Sequence, residues 1–402
     1  MKLLYIIKRP LSRRDAERFG IFRALERGFS VRVFDISVPT HPELAADMDL
    51  SWVPPTLEIE VFQSWKSLRR RQQAFAEADL VLLLSQSHGL SRGTLPTLRL
   101  LARTKTPYLI LGPIWYGMVE PRLADIPIRR KFKEAIQRAM LMDPLNSLIS
   151  RIPPHLLGIP QARWAIYTGL ASMSANSLVG PQTEPIYTHT SDYDLFLRLS
   201  SQRKETLPQA VFLDQFAPFH VDTQVIKTRT VIEPDHYYAC LRGLFDRIEA
   251  ELGLKVVIAA HPRADYQDRP ELLGNRPIHY GKTIDLIAES QVVISHVSTA
   301  LGMAVLFRRP VMLIATQAYY DLTPGHPFAF DQAAQSLATP LLMIDDVANV
   351  PLQAGLEVNE GAYDLYLERF MRHPKAPDGY QWDIVFDIIL GGHAIDGSPK
   401  RD

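Results

Sequence analysis

The segment His261-Pro262-Arg263 directly follows a short apolar run, residues 255–260, and combines residue types that bind anions. Proline fixes its own φ and disfavours helix at the residue before it, so we expect His261 to be extended at the tip of a strand. An imidazole and a guanidinium two residues apart suit a phosphate group, because arginine can bind it through two hydrogen bonds and histidine can donate to it. The plainer alternative is a structural histidine beside a solvated arginine.

Asp214 follows a second apolar run, residues 210–213, and precedes Gln215 and His220. A carboxylate at the carboxyl end of a strand can act as a nucleophile or as a general base. It can equally cap the loop that follows, and its position alone does not separate these roles. We therefore keep Asp214 as a catalytic candidate.

A strand predicted at residues 292–295 leads through His296 to Ser298 and Thr299, where a helix is predicted to begin. Free N–H groups and the helix dipole favour an anion at such a point, and the two hydroxyls add donors. Ser298 could also serve only as the helix N-cap, which is a common role. No glycine-rich fingerprint accompanies the segment, which disfavours a dinucleotide site and a P-loop.

The polar run at residues 187–194 contains His189 and Asp192. A metal site needs more ligands at defined spacing than this run provides, so we expect no metal here. A helix start explains the run at least as well as a catalytic role does. In that case Thr190 or Ser191 is the cap, and the helix dipole favours Asp192.

These segments belong to two series of alternating strands and helices. The predicted strands are residues 2–7, 31–36, 79–84 and 107–111 in the first series, and 210–213, 255–260, 292–295 and 311–314 in the second. Buried apolar runs that alternate with helical segments are typical of parallel sheets, so the sequence predicts an α/β fold. We expect two Rossmann-type domains facing across a cleft, with ligands at the carboxyl ends of the strands.

The domain boundaries follow from this pattern. We expect an N-terminal domain over residues 1–200 and a C-terminal domain over residues 209–360, joined by a polar linker. The C-terminal helices, residues 361–402, could pack back on the first domain. Residues 123–180 are predicted to form mostly helices and loops.

Composition excludes several classes of protein. The 402 residues include 44 basic and 44 acidic side chains, so the formal net charge is zero. This balance argues against nucleic acid as the main partner and against a membrane held by bulk charge. The single cysteine, Cys240, fits a reducing compartment. No run approaches 18 apolar residues and no signal peptide is visible, so we expect a cytoplasmic protein, with peripheral association at the inner membrane face left open.

The ordered motifs HTSDYD, FLDQ, AHPR, GKT and ISHVSTAL resemble those of the bacterial retaining β-Kdo glycosyltransferases. These enzymes build surface polysaccharides such as lipopolysaccharide, capsule and O-antigen, have a GT-B-like fold, and use CMP-β-Kdo as donor. The His-Pro element followed by a Ser/Thr element is also similar to the bacterial sialyltransferases, which use CMP-sialic acid. The resemblance covers about residues 187–314, and the first domain matches only in its general βα organisation.

The resemblance implies that the second domain holds the CMP-sugar and that the first faces the acceptor. It implies catalytic roles for Asp214, as nucleophile, and for His261 and Asp192. The donor-binding residues that it implies are Gln215, His220, Arg263, Lys282, Thr283, His296, Ser298 and Thr299. Thr283 could instead cap the helix that follows it. No metal or other cofactor is expected.

The sequence thus predicts a glycosyltransferase that transfers Kdo, or a related acidic 2-keto sugar, from CMP to a glycan acceptor that could be lipid-linked. A carboxylate such as Asp214 can stabilise the oxocarbenium-like transition state, and the cationic and hydroxyl groups can neutralise the departing CMP. Three alternatives stay open. They are an inverting sialyltransferase with the same donor site, a nucleotide-sugar epimerase or hydrolase of similar fold, and a non-catalytic glycan-binding subunit.

Overall fold

The structure is a computed structural model, and it describes residues 1–41, 49–84, 89–113, 144–173, 176–200, 205–219, 228, 230–267, 269–323 and 325–391. The described residues divide into two compact units. The first unit comprises those up to 113, from 144 to 191 and from 373 onward, and the second comprises those from 192 to 372. Residues 192–200 and 361–372 therefore belong to the second unit, which differs from the boundaries expected at 200 and 361.

A parallel sheet of seven strands, counted over the described residues, forms the centre of the first unit. The strands are β1 (Lys2–Ile7), β2 (Ser30–Asp35), β3 (Glu58–Val61), β4 (Leu80–Leu83), β5 (Tyr108–Leu111), β6 (Trp164–Tyr167) and β7 (Glu184–Tyr187). Their order is β3-β2-β1-β4-β5-β6-β7, and every neighbouring pair is parallel. From β1 the chain adds β2 and β3 on one side of the sheet, and then β4 to β7 on the other side. The strand order therefore reverses direction between β1 and β4.

Helices surround this sheet. The α-helices of the first unit are Arg13–Arg18, Ile21–Glu26, Ser37–Thr40, Trp65–Arg69, Gln72–Glu77, Leu95–Thr104, Pro144–Arg151 and Gln381–Ile389. Short 3-10 helices lie at Pro154–Leu157 and Leu170–Met173.

The core of the first unit has two layers, because side chains of a strand alternate between the faces of its sheet. Leu4 and Ile6 of β1 pack in the cluster on one face, and Leu3 and Tyr5 pack on the other. The second cluster also contains Trp382 of the last helix. The C-terminal helix therefore completes the core of the first unit.

Gly20 leaves the space that Trp382 of the C-terminal helix occupies. It separates the helices Arg13–Arg18 and Ile21–Glu26, and its φ is +68°. A Cβ atom at this position would lie 2.2 Å from the ring of Trp382. The indole N–H of Trp382 donates to the carbonyl of Arg18 at 2.9 Å.

A second parallel sheet forms the centre of the second unit and has six strands among the residues described. The strands are β8 (Gln209–Leu213), β9 (Lys255–Ala260), β10 (Ile278–Tyr280), β11 (Val292–Ser295), β12 (Val311–Ala315) and β13 (Leu341–Met343). Their order is β10-β9-β8-β11-β12-β13, again with parallel neighbours. Every residue of β8 and β12 is buried, as expected for central strands covered on both faces.

The α-helices of this part of the chain are Ser191–Ser200, Pro234–Leu252, Thr283–Glu289, Leu301–Leu306, Gln317–Tyr320, His326–Leu337 and Glu360–Tyr366. Leu367–Met371 is a π-helix, and 3-10 helices lie at Ala217–Phe219, Pro270–Leu273, Val347–Asn349 and Leu352–Gly355. The longest helix, Pro234–Leu252, has proline at its first position and ends at Gly253 with a φ of +67°, the pattern that chain stereochemistry favours. No helix in the described ranges combines the length and apolarity that a bilayer crossing requires.

Residues 123–180 are predicted to form mostly helices and loops, and the structure adds one short strand, β6, in the described part of that range. β6 and β7 are four residues long and lack the extended apolar run of the central strands. Of the polar stretch 200–208, residues 205–208 are described. There the N–H of Leu207 donates to the carbonyl of Glu289, so this part is bound to the second unit.

Candidate active site

The carboxyl edge of the second sheet collects most of the candidate residues. Because the strands are parallel, the segments that follow them lie along one edge. In spatial order these are Lys282 after β10, His261 after β9, Asp214 after β8, His296 after β11 and Thr316 after β12. The strand order reverses direction between β8 and β11, and ligands of open α/β sheets bind outside the carboxyl ends at such a reversal. Asp214 and His296 flank that point.

Asp214 joins two neighbouring strand ends. Its Oδ2 accepts a hydrogen bond from the backbone N–H of His261 at 3.2 Å. Its Oδ1 accepts from the backbone N–H of Phe216 at 2.9 Å and from the hydroxyl of Tyr266 at 3.1 Å. The carboxylate is thus fixed beside the His-Pro-Arg corner, on the same edge of the sheet.

The surroundings of Asp214 are largely aromatic. Phe216 packs edge-on against Tyr266, and the hydroxyl of Tyr238 lies 3.1 Å from that of Tyr266. Asp214 is 6% exposed. Burial raises the pKa of Asp214 above its usual range, although the hydrogen bonds from Phe216, His261 and Tyr266 oppose the shift. The buried, aromatic surroundings therefore make ionisation of the Asp214 carboxyl group unfavourable.

The loop after Asp214 has an unusual backbone. Phe216 has a φ of +50°, in the left-handed region that a residue with a Cβ rarely adopts. The bond from its N–H to Asp214 closes a local turn that stabilises this conformation. The carboxylate and the turn support each other.

The His-Pro-Arg corner presents its side chains at the edge of the sheet. The Nδ1 atom of His261 accepts from the backbone N–H of Arg263 at 3.2 Å, which places the proton of the neutral imidazole on Nε2. His261 is half-buried, and Arg263 is exposed. The solvated guanidinium of Arg263 is therefore available to an anion at this corner.

His296 occupies the interior. It is completely buried, its Nδ1 lies 2.7 Å from the carbonyl of Ile314, and its Nε2 lies 2.8 Å from the hydroxyl of Tyr237. A carbonyl can only accept, so Nδ1 carries the proton and Nε2 accepts from Tyr237. Burial lowers the pKa of His296 to about 4, which keeps it neutral. The expectation that His296 contacts a donor sugar is corrected here, since both ring nitrogens already have partners inside the protein.

Ser298 and Thr299 precede the helix that was expected to begin with them. That helix begins at Leu301, and Ser298 Oγ accepts from the N–H of Ala300 at 3.2 Å. Thr299 is exposed, and Ser298 is partly so. The two hydroxyls lie on a turn at the carboxyl edge, so the predicted position at a helix N-terminus is wrong while the predicted edge of the sheet is right.

Two further predicted donor residues, Lys282 and Gln215, lie at this edge. Lys282 is exposed at the N-cap position of the helix Thr283–Glu289, so Thr283 is the first residue of that helix and not its cap. Gln215 accepts from the hydroxyl of Tyr319 through Oε1 at 3.3 Å.

Asp192 and His220 are the remaining candidates. Asp192 lies in the first turn of the helix Ser191–Ser200. Thr190 does not cap this helix through its hydroxyl, which is buried without a hydrogen-bond partner among the described residues. His189 is buried, with Nε2 2.9 Å from the carbonyl of Gly379. His220 lies outside the described residues.

Sequence reasoning missed the tyrosines that surround the site. Tyr266 binds Asp214, Tyr237 binds His296 and Tyr319 binds Gln215. Tyr237 and Tyr238 lie in the helix after β8, where a pair of adjacent aromatics is compatible with an ordinary core face. The one available signal was that Tyr266 follows the His-Pro-Arg segment by three residues. Within the described ranges, no group of three or more His, Cys, Asp and Glu side chains is arranged to hold a metal ion.

Comparison of the coordinates with solved structures identifies the fold. The UDP-GlcNAc 2-epimerase of Methanocaldococcus jannaschii superposes with a TM-score of 0.50 at 13% identity, covering 98% of this chain and 100% of that one. MurG of Acinetobacter baumannii superposes with a TM-score of 0.50 at 10% identity, covering 97% and 99%. The fold is of the GT-B type. The predicted α/β class with two Rossmann-type domains is confirmed.

A third structure with this fold is the glycosyltransferase of kitacinnamycin, with a TM-score of 0.50, 13% identity and coverage of 98% and 96%. In sequence, the chain matches no protein-family model and no curated protein. Likeness at these identities establishes the fold alone, because one fold hosts many activities.

Proposed function

We propose that this protein is a glycosyltransferase that takes Kdo, or a related acidic 2-keto sugar, from a CMP donor bound at the carboxyl edge of the second sheet. The observation that carries the proposal is the 3.2 Å hydrogen bond between the N–H of His261 and Asp214, at the reversal of strand order. This bond joins a carboxylate that can react with the sugar to the His-Pro-Arg segment, whose side chains can bind the phosphate. The motif resemblance around these two residues supports CMP-Kdo as donor.

The proposed reaction proceeds in two displacements with net retention. In the first, a carboxylate oxygen of Asp214 forms a bond to the anomeric carbon while the bond from that carbon to the phosphate oxygen breaks, and CMP leaves with the electron pair. In the second, an acceptor hydroxyl attacks the same carbon and loses its proton to water, and the Asp214 carboxylate is released. The anomeric carbon of a 2-keto sugar carries its own carboxylate, which cations at the edge can balance.

Cationic and hydroxyl groups at this edge support the departure of CMP. Arg263 and Lys282 are exposed on the segments after β9 and β10, and Thr299 is exposed after β11. In this proposal the Nε2–H of His261 is a further donor to the phosphate, since Nδ1 accepts from the backbone N–H of Arg263. Such groups stabilise negative charge that develops on a leaving phosphate. The proposal includes no metal ion, and it keeps a catalytic role for Asp192.

A nucleotide-sugar epimerase is the second candidate, because the superposition on the UDP-GlcNAc 2-epimerase is as good as that on MurG. The two candidates differ in what they do to the donor. An epimerase returns the donor with one inverted centre and needs no acceptor. A transferase releases the nucleotide and lengthens a glycan.

A donor screen tests the proposal. CMP-Kdo, CMP-sialic acid, UDP-GlcNAc and a GDP-sugar are added separately to the full chain, and the melting temperature is measured, since ligands that bind the native state raise it. We expect CMP-Kdo to give the largest rise, and Lys282→Ala to reduce it. Lys255→Ala is the matched control, because Lys255 is an exposed lysine at the opposite end of β9. A rise with UDP-GlcNAc alone would overturn the CMP donor and favour the epimerase.

A further inference from the structure

A cavity of about 810 Å³ lies in the first unit, far in sequence from the proposed donor site. Its lining includes Ile7 and Lys8 at the end of β1, Leu84 directly after β4, and Leu111 and Gly112 at the end of β5. The strand order of the first sheet reverses direction between β1 and β4. The cavity therefore occupies the position at which open parallel sheets bind their ligands. We call it the first-unit cavity.

The first-unit cavity is strongly cationic. Lys8, Arg9, Arg18 and Arg92 line it, and Asp15 is the one acidic residue among the described residues of its lining. Asp15 is already engaged in the N-terminal turn of its helix, where its Oδ2 accepts from the hydroxyl of Ser12 at 2.7 Å. Lys8 and Arg9 thus place positive charge in a concave site, which attracts anions.

Lys8 is a further feature of the cavity that points to an anionic ligand. Its side chain is half-buried, and among the described residues no carboxylate or other acceptor bonds its ammonium group. Burial lowers the pKa of Lys8 to about 8, with no opposing contribution from a nearby anion. Charged groups inside proteins are normally paired, so an unpaired lysine in a cavity indicates a missing anionic partner.

The apolar part of the cavity wall suits a ligand that contains a ring. Phe19 and Trp65 line the cavity together with Leu84 and Leu111. Aromatic faces offer a flat apolar surface at low entropic cost, and sites for small molecules combine such surfaces with a few charged groups. A ligand that carries both a ring and an oxyanion matches this combination better than a bare ion does.

We propose that the first-unit cavity binds a saccharide that bears a phosphate or carboxylate group, with the oxyanion at Lys8 and Arg9 and the sugar ring against the aromatic wall. The binding itself does not depend on the function proposed above. The assignment of this saccharide as the acceptor of transfer does rest on that function. An anionic acceptor also agrees with the glycan acceptor expected from the sequence.

The test uses three ligands that share one ring: glucose 6-phosphate, glucuronate and glucose. Each is titrated into the full chain by calorimetry at fixed ionic strength. We expect at least one of the two anionic sugars to bind and glucose not to bind, and the stronger of the two identifies phosphate or carboxylate as the preferred group. Equal binding of all three, or of none, would overturn the proposal.

Variants locate the site. Arg9→Ala and Lys8→Met are each expected to weaken the binding by about tenfold, the loss of one hydrogen bond to a charged group. Arg9 is exposed, so its variant tests the site even where Lys8→Met fails to fold. Arg14→Ala is the matched control, because Arg14 is exposed on the same helix as Arg18 and does not line the cavity. Equal weakening by Arg14→Ala would show general charge attraction instead of a site.

A last arm separates this proposal from the proposed function. CMP binding is measured in the Arg9→Ala variant, and we expect it unchanged, because Arg9 lies in the first unit and the proposed donor site in the second. If the anionic sugar binds and CMP does not, the cavity stands and the proposed function fails. If CMP binds and neither anionic sugar does, the cavity proposal fails alone.

Discussion

The backbone N–H of His261 donates a hydrogen bond to Oδ2 of Asp214 at 3.2 Å, although 47 residues separate them in the chain. The N–H of Asp214 in turn donates to the carbonyl of Ala259. These bonds join the ends of β8 and β9 into one corner. Asp214 consequently has two roles, since its carboxylate also holds the backbone from which the His261 and Arg263 side chains project. A substitution that removes the carboxylate entirely confounds these roles, so the tests below use the isosteric asparagine.

We expect Asp214→Asn to abolish sugar transfer while CMP affinity falls by no more than a few-fold. Asparagine keeps one oxygen to accept from Phe216 and Tyr266 and loses only the bond from the His261 N–H, and it cannot act as an anionic nucleophile. Transfer is measured by product formation and CMP binding by calorimetry. Asp265→Asn serves as control, because Asp265 is an exposed carboxylate on the loop after the same corner. Parallel loss of transfer and CMP binding would assign Asp214 a structural role only.

The stability of the protein is expected to report the raised pKa of Asp214. A carboxyl group whose pKa is raised by folding contributes stability that is present below its unfolded pKa of about 4 and is lost as pH rises through the folded pKa. The free energy of unfolding of the wild type, relative to Asp214→Asn, should therefore fall as pH rises above about 4. Urea unfolding at several pH values measures this difference.

Asp49 provides the control of opposite sign. Hydrogen bonds from Ser51 lower its pKa, so its contribution is present above the unfolded pKa and lost as pH falls through the folded one. The free energy of unfolding of the wild type, relative to Asp49→Asn, should therefore rise as pH rises. If the free energies of unfolding of the wild type and of Asp214→Asn differ by the same amount at every pH, Asp214 is not a buried, ionisable carboxylate.

We expect His261→Ala to weaken CMP binding by about tenfold, because the variant removes a donor to the phosphate while leaving the backbone bond to Asp214 in place. The rate of unfolding and the urea midpoint should change little, since the imidazole is half-buried at the edge. Calorimetric titration with CMP is the measurement. Unchanged CMP affinity would remove His261 from the donor site.

The interior role of His296 predicts a contrast between two tyrosines. Tyr237→Phe leaves the Nε2 acceptor of His296 buried without a donor, so we expect a loss of about 1–3 kcal/mol in the free energy of unfolding. Tyr5→Phe is the matched control, because the hydroxyl of Tyr5 is buried with no partner in the part of the chain that the structure describes. Its removal should be neutral or stabilising, and equal losses in both variants would contradict the assigned hydrogen bonds.

Local sequence predicted the central strands well. The bounds of β1, β9 and β11 agree with the prediction, because fully buried parallel strands read as continuous apolar runs. Short outer strands such as β6 carry too few residues to show a period. Gly20 packs against Trp382, which is 362 positions later, and no local pattern encodes that contact.

The candidate site was predicted in part. The position of Asp214 and His261 at one edge followed from the rule for parallel strands, and the structure adds the hydrogen bond between them. The burial of His296 was not predictable from its own segment, because its partners are Tyr237 on a distant helix and Ile314 on the next strand. Polar residues after a strand look alike in sequence whether they face a ligand or the core.

The most direct measurement of the central claim is the mass of the full chain after incubation with CMP-Kdo and no acceptor. The account predicts a gain of one sugar residue per chain, release of one CMP, and location of the added mass on the peptide that contains Asp214. An unchanged mass together with no release of CMP, or an adduct on a peptide of the first unit, would contradict it.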